Sequence, residues 1–320
     1  MSLRVVVIGG GQNCEHEVSL ASAAAVKRAL SHAGYEVVGL TLDEAGTWRD
    51  EELRPIGLAG AVQVIGTCAV VVPMLHGPHG EDGTLAALCD LAQVPYVGSG
   101  VGAGAVGMDK WITKLVAQAV GIPVASGRLL TRSTAASYVW THPVVVKPVA
   151  AGSSHGVSLV RDRAGLSAAL DAAFALDERV LVEELITGRE IDVAVLGRPD
   201  GSRMVAPLIE ILLSEAIFDH ETKYDGSARF RLPAVVDPVA QKALESAALA
   251  MYDALGCSGV ARVDFFLTVD GPVLNEVNTA PGFTEQSQAP KMFAAGGTAY
   301  PELLDLLVRD ALAVGKRIPA

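Results

Sequence analysis

This sequence predicts an α/β fold that opens on a parallel sheet and divides into two or three packed modules, on three observations. Short β-branched runs such as Val5 to Ile8 end abruptly in glycines, the mark of strands buried on both faces. Stretches with helical spacing, Ser19 to Ala33 first among them, alternate with those runs, as connections between parallel strands require. The chain has 320 residues, 50% hydrophobic and only 19% charged, which exceeds what one core organises and supplies ample apolar surface.

The elements follow in order. Val5 to Ile8, Gly9-Gly10-Gly11 and Ser19 to Ala33 read as strand, glycine turn and helix. Further strands are expected at Tyr35 to Leu42, within the apolar run Cys68 to Leu75, and at Val94 to Val97. After Gly98-Ser99-Gly100 the texture changes: Met108 to Val120 has helical spacing, and Gly121-Ile122-Pro123 breaks it. Val144 to Lys147 and Arg179 to Glu184 are strands of a second module. Ile191 to Leu196, Met204 to Ile211, the helix Pro238 to Leu255 and the strands Arg262 to Thr268 and Val273 to Val277 complete a third. The expected modules are residues 1–98, 99–187 and 188–320, joined by short linkers.

A formal charge of −11 argues against nucleic acid as a partner, since duplex binding needs a basic face. Local lysines, arginines and metal ions can still hold small anions. Cys14, Cys68, Cys89 and Cys257 lack CxxC spacing, which predicts buried free thiols rather than zinc or a disulfide framework. The opening MSLRVVVIGGG reads as a first strand rather than a signal peptide, and no apolar run reaches spanning length. A cytoplasmic protein without membrane partners is expected.

Gly9 and Gly11 invite a dinucleotide fingerprint, but Cys14 stands where the third glycine belongs. No Walker loop is present either. The loop from Lys147 to Val157, KPVAAGSSHGV, follows a strand and joins a lysine to glycines and hydroxyls. Backbone N–H groups freed by glycine, serine donors and one charge suit phosphate; an ordinary glycine-serine surface loop is the competing reading.

The most informative stretch runs from Arg262-Val263-Asp264 to Glu276-Val277-Asn278 and on to Gly282. Alternation puts Arg262 and Asp264 on one side of a strand, and Glu276 and Asn278 on one side of the next. If the two pair antiparallel across Asp270-Gly271, two carboxylates, an amide and a guanidinium share a face. Such oxygen donors match Mg²⁺ bridging phosphates, with Arg262 beside them for developing charge; a solvated hairpin face with structural salt bridges is the alternative. Glu183-Glu184-Leu185-Ile186, with Glu190 beyond a Gly188 turn, closes an apolar strand where adenine and ribose would fit. An exposed acidic cluster is the alternative there.

Six blocks, taken together and in order, resemble the D-alanine:D-alanine ligases of the ATP-grasp superfamily. They are Gly9 through Leu20, His76-Gly77-Pro78-His79-Gly80-Glu81-Asp82-Gly83, Met108-Asp109-Lys110, the Lys147 loop, Lys223-Tyr224, and Arg262 to Ser287.

The resemblance implies an ATP-grasp fold preceded by a Rossmann-like N-terminal domain, with ATP clamped between the second and third modules. It implies Lys110, Lys147 and Lys223 on phosphates, Glu183, Glu184 and Ile186 around adenine, and Glu190 on ribose. Asp264, Glu276 and Asn278 would ligate two Mg²⁺ ions, for which Mn²⁺ can substitute. Glu15 would meet the ammonium of the first D-alanine, linked to Ser153 and Tyr224, with His76 nearby. Arg262 and the Gly282 backbone would stabilise the oxyanion, Ser287 and Gln288 would face the second substrate, and a lid from Ile217 to Phe230 would close. Homodimerisation and a role in peptidoglycan precursor synthesis are further family expectations.

Two positions depart from the common pattern: Gln288 replaces a frequent leucine, and Ala86 a frequent glutamine. D-Lactate and D-serine ligases also differ at the Gln288 position, generally with arginine, whereas Tyr224 favours an amine nucleophile. The rival readings are a relative with another second substrate, a nucleotide-binding homologue without turnover and, more remotely, a dehydrogenase.

Overall fold

The computed structural model describes residues 2–212 and 229–315. Its first sheet takes β1 (Arg4–Gly10), β2 (Glu36–Leu42), β3 (Trp48–Arg49) and β4 (Val70–Pro73) in the order β3-β2-β1-β4. β1 is parallel to both β2 and β4, and only β3 runs antiparallel. Val5 to Ile8 are buried on both faces, hence the unbroken apolar run. Helices α1 (His16–His32), α2 (Gly57–Ile65) and α3 (Thr84–Ala92) accompany this sheet. Val94 to Val97 does not form the expected strand. It makes a single parallel bridge from Val71 to Tyr96: Val71 bonds to Pro95 and Val97, while the Val94 N–H turns back to the Cys89 carbonyl of α3.

α4 (Val101–Met108) and α5 (Lys110–Ala119) replace the single helix expected over Met108 to Val120. Asp109 is extended and accepts from the Ile112 N–H, capping α5. The second sheet is antiparallel, order β5-β8-β6-β7, from β5 (Gly127–Thr131), β6 (Val144–Pro148), β7 (Ser158–Val160) and β8 (Arg179–Glu184). α6 (Arg132–Ala135) and α7 (Leu166–Phe174) belong to the same region. One face of that sheet, Val144, Val146, Val180 and Val182, packs with Leu170 and Phe174 in a common core. By alternation Val145, Lys147, Leu181 and Glu183 turn to the other face.

The third sheet is antiparallel too, order β12-β11-β9-β13-β14, with β10 sharing an edge of β9. Its strands are β9 (Arg189–Gly197), β10 (Arg203–Val205), β11 (Ile209–Leu212), β12 (Arg229–Arg231), β13 (Val260–Thr268) and β14 (Gly271–Asn278). The expected strand Met204 to Ile211 is thus split into β10 and β11, and Pro207 in the gap has no N–H to give a ladder. α8 (Pro238–Leu255) buries Leu244, Ala248, Met251, Tyr252 and Leu255, a helical stripe, in one core with Val193, Val263, Phe265 and Val277. Its ends are written in the sequence: Asp237 accepts from the Val239 and Ala240 N–H groups, Pro238 sits in the first turn, and left-handed Gly256 follows the last residue. α9 (Gln288–Ala295) and α10 (Tyr300–Gly315) close the chain; α10 joins α1 in a core reaching from β1 to β9. Among the described residues no helix is long and apolar enough to cross a membrane.

Candidate active site

A cleft of about 680 Å³ has walls from all three regions, including Glu15, Lys110, Ser153, Glu190, Asp192, Arg262, Asp264, Glu276, Asn278, Ser287 and Gln288. This is ample for small ligands.

β13 and β14 pair antiparallel, Arg262 opposite Asn278 and Asp264 opposite Glu276. On the other side of β13, Asp264 stands opposite Asp192 of β9. The apolar face of these strands is committed to the α8 core, so all five polar groups project into the cleft. Arg262 donates from Nε and Nη2 to the two Asp264 oxygens, each at 2.7 Å, and from Nη1 to Gln288 Oε1 at 2.5 Å. Asp192 Oδ2 lies 3.5 Å from Arg262 Nε. Burial opposes the charged guanidinium, but Asp264 and Asp192 outweigh it and hold its pKa well above the ordinary value.

The carboxyl ends of β1 and β4 bring the N-terminal contribution. Asn13 Nδ2 donates to the His76 and Pro78 carbonyls, at 2.8 and 3.1 Å, tying the two loops, and its Oδ1 accepts from the Glu15 N–H. Glu15 is buried, and Ser153 Oγ donates to its Oε1 across the cleft. Gly152 permits that approach: a Cβ there would stand 2.6 Å from Glu15 Oε2. Ser153 and Ser154 have φ of 49° and 57°, left-handed values that side chains adopt at a cost of about 1–2 kcal/mol. The loop is thus held by its contacts rather than by its own preference. His76 is buried, its Nδ1 3.0 Å from the Ala280 carbonyl and 3.5 Å from Glu81 Oε1. Burial works against its charge, but Glu81 and Glu15 raise its pKa.

A smaller cleft of about 110 Å³ adjoins, lined by Lys110, Lys114, Lys147, Glu183, Glu184, Ile186, Glu190 and Glu276 among others. Lys147 Nζ lies 2.6 Å from Glu183 Oε2, as expected of side chains on one sheet face at diagonal positions, since Glu183 pairs with Val145. Lys110 Nζ donates to the Ala151 carbonyl at 2.8 Å and stands 3.3 Å from Glu276. Glu184 Oε1 instead accepts from the Ser126 N–H at 2.9 Å.

Ser287 precedes α9, and its Oγ accepts from the Thr284 N–H at 3.0 Å. Gly282 lies close by, with room for a Cβ only 3.4 Å from that Oγ. Lys223, Tyr224 and the lid positions 217–228 lie outside the described residues; Phe230, at the end of that stretch, lines the large cleft.

Two charged residues that line these clefts escape the sequence reading. Asp192 carried a signal, two residues after Glu190 in an otherwise apolar strand; Lys114 did too, one helical turn after Lys110. Cys14 corrects the expectation of buried thiols: it is exposed, whereas Cys68, Cys89 and Cys257 are buried. It sits in the loop ahead of α1, outside any core.

Asp264, Glu276 and Asn278 offer the donor chemistry a hard cation takes, two carboxylates and one amide on paired strands, with both Asp264 oxygens engaged by Arg262 in this structure. Asn278 Oδ1 also accepts from the Ala280 N–H at 3.1 Å, which fixes its orientation.

Comparison with known proteins gives a consistent result. Residues 116–309 match the family model described as D-ala D-ala ligase C-terminus, and residues 4–61 and 50–99 match D-ala D-ala ligase N-terminus. The chain is similar to a D-alanine--D-alanine ligase of Nocardia farcinica, 40% identical over 355 aligned positions covering 98% of each. A protein of that name from Mycobacterium tuberculosis is 39% identical, covering 98% of this chain and 96% of the relative. Among solved structures, the VanG D-Ala:D-Ser ligase of Enterococcus faecalis superposes with a TM-score of 0.87 at 34% identity, covering 97% of this chain and all (100%) of that one. The D-alanine--D-alanine ligase of Bacillus anthracis complexed with ATP gives 0.81 at 28% identity, covering 98% and 99%.

Proposed function

This chain belongs to the D-alanine:D-alanine ligase family, and we propose that it joins two D-alanine molecules at the expense of ATP, as a step in peptidoglycan precursor synthesis. The observation that carries the reading is the shared cleft face of β9, β13 and β14, where Arg262, Asp264, Glu276 and Asn278 confront Glu15 and Ser153.

The chemistry follows from charge. A carboxylate is a poor electrophile, so the γ-phosphoryl group of ATP is first transferred to the carboxylate of one D-alanine, giving an acyl phosphate and ADP. Glu15, oriented by Ser153, meets that substrate's ammonium and sets its carboxylate toward the nucleotide. Lys110 and Lys147 offset the phosphate charge, Glu183 and Ile186 hold adenine, and Glu190 the ribose. Asp264, Glu276 and Asn278 would hold Mg²⁺, which supplies charge neutralisation and alignment of the phosphate oxygens.

The amine of the second D-alanine, free of its extra proton, attacks the acyl carbon. Phosphate departs with the C–O bonding pair and takes the proton that the new amide nitrogen gives up. Arg262 and the N–H groups around Gly282 stabilise the tetrahedral oxyanion on the way, the kind of interaction that supplies much of the rate in such steps. Ser287, ahead of α9, and Gln288 seat the second carboxylate. Water must stay out or the acyl phosphate hydrolyses; Phe230 and the Ser153 loop wall the cleft. The division into residues 1–98, 99–187 and 188–320, a cytoplasmic setting and a homodimer belong to the same proposal.

A D-alanine:D-serine activity is the second reading, favoured by the polar Gln288 at the cleft and by the likeness to the Enterococcus faecalis enzyme. Product analysis with ATP, Mg²⁺ and D-alanine, alone and with equimolar D-serine or D-lactate, separates them. D-Alanyl-D-alanine as the main product supports the first reading. A predominant mixed dipeptide or depsipeptide overturns it, and phosphate release at background with every substrate removes ligase activity altogether.

A further inference from the structure

Behind the catalytic face lies a second buried charge cluster whose central lysine has no part in the mechanism above. Lys114, on α5 one turn beyond Lys110, points under the small cleft, and its Nζ lies 2.8 Å from Glu183 Oε1 and 3.4 Å from the Leu274 carbonyl. Lys147 occupies the other Glu183 oxygen at 2.6 Å. Lys114, Lys147 and Glu183 are buried, each no more than 5% exposed. Desolvating three charges is costly unless they serve one another or a ligand. Each lysine thus takes one Glu183 oxygen, and a carboxylate oxygen keeps a second acceptor direction that a ligand donor can use.

We propose that Lys114 is a positioning residue for nucleotide selection: it holds the Glu183 carboxylate ionised and fixed at the cleft wall, as the acceptor for the 6-amino group of a purine. The inference rests on reading this cleft as the adenine end of the ATP site. A carboxylate only accepts hydrogen bonds, so it rewards the 6-amino group of adenine and repels the 6-oxo group of hypoxanthine. Lys147 alone cannot secure this. It stands on the strand that opens the glycine-serine loop, and a polyphosphate draws its ammonium away from Glu183. Lys114, anchored in a helix beneath the sheet and beside the Leu274 carbonyl, stays behind and prevents Glu183 from taking up a proton or turning away. The spectator lysine thus converts a mobile charge pair into a fixed selectivity element.

The test compares ATP with inosine triphosphate in the full-length enzyme, with D-alanine and Mg²⁺ saturating. Wild type should prefer ATP in kcat/KM by about 100-fold, the scale of one charge-assisted hydrogen bond. Lys114→Met should raise the KM for ATP about tenfold and cut the preference to below about tenfold, with kcat and the KM for D-alanine within about threefold of wild type. Glu183→Gln, whose amide can both donate and accept, should flatten the preference, and Lys114→Met added to it should change the preference no further. If Lys114→Met fails to fold, Lys114→Gln answers the same question. A Lys114 variant that keeps the wild-type preference overturns the proposal. So does one that loses kcat and affinity for both substrates alike, the signature of a merely structural lysine. A wild-type enzyme that turns over neither nucleotide refutes the adenine reading itself, before any variant is compared.

Discussion

Arg262 and Asp264, two residues apart on β13, meet in a fork of two parallel hydrogen bonds, each 2.7 Å long. Residues at that spacing share a strand face, so the backbone alone brings them together. Asp192 and Gln288 complete the ring around the guanidinium. The charge proposed to stabilise the oxyanion is therefore locked in place before substrate arrives. The same Asp264 is proposed to ligate Mg²⁺, which couples cation binding to the position of the arginine.

Arg262→Lys keeps the charge but loses the planar fork. We expect kcat to fall by about 10²–10³-fold, with the KM for ATP changed far less, in steady-state phosphate release. A variant within about threefold of wild type would mean that the fork only braces the sheet.

Ser153 reaches across the cleft to Glu15, and its loop holds two left-handed serines that those contacts must sustain. Ser153→Ala should raise the KM for the first D-alanine by about tenfold or more, the value of a hydrogen bond to a charged group. Glu15→Gln should do at least as much. Initial-rate kinetics over D-alanine concentration check both, and unchanged KM values in both variants would detach this pair from the substrate.

Gln288 spends its Oε1 on Arg262 and leaves its amide group at the cleft wall. Gln288→Leu removes that donor and should shift product from D-alanyl-D-serine toward D-alanyl-D-alanine several-fold when both amines compete. Chromatography of the dipeptides reads the ratio; no shift would place specificity elsewhere.

His76 has a pKa raised by Glu81 and Glu15 against the pull of burial. A group that binds its proton more tightly when folded stabilises fully below its unfolded pKa, about 6.5, and that stabilisation is lost as pH rises through the folded value. Glu81→Gln removes the main charge that holds the proton. Thermal melts from about pH 6 to 9 should show wild type losing its Tm advantage over Glu81→Gln as pH increases. Parallel curves would show that His76 titrates alike in both.

Much of the architecture was legible because local physics wrote it. Asp237, Pro238 and Gly256 mark both ends of α8, and the helix runs over the span its sequence predicts. Alternation on β13 and β14 foretold the polar face, since the antiparallel pairing needs only a tight turn at Asp270-Gly271. Val94 to Val97 misled because apolar, β-branched composition fits a strand whether or not a partner edge is free. Met204 to Ile211 misled because a single Pro207 divides an otherwise plausible run.

The sequence by itself determined the kind of chemistry: oxygen donors, lysines and an arginine at strand spacings, in an order that resembles one ligase family. Tertiary structure alone decided which of those charges meet. Glu15 and Ser153 are 138 residues apart and touch; the spacing from Lys110 puts Lys114 on the same helix face, but only packing buries it against Glu183. The reason is physical. Strand periodicity fixes which face a side chain takes, a local property, whereas the burial and pairing that tune a charge depend on surfaces brought together from distant parts of the chain.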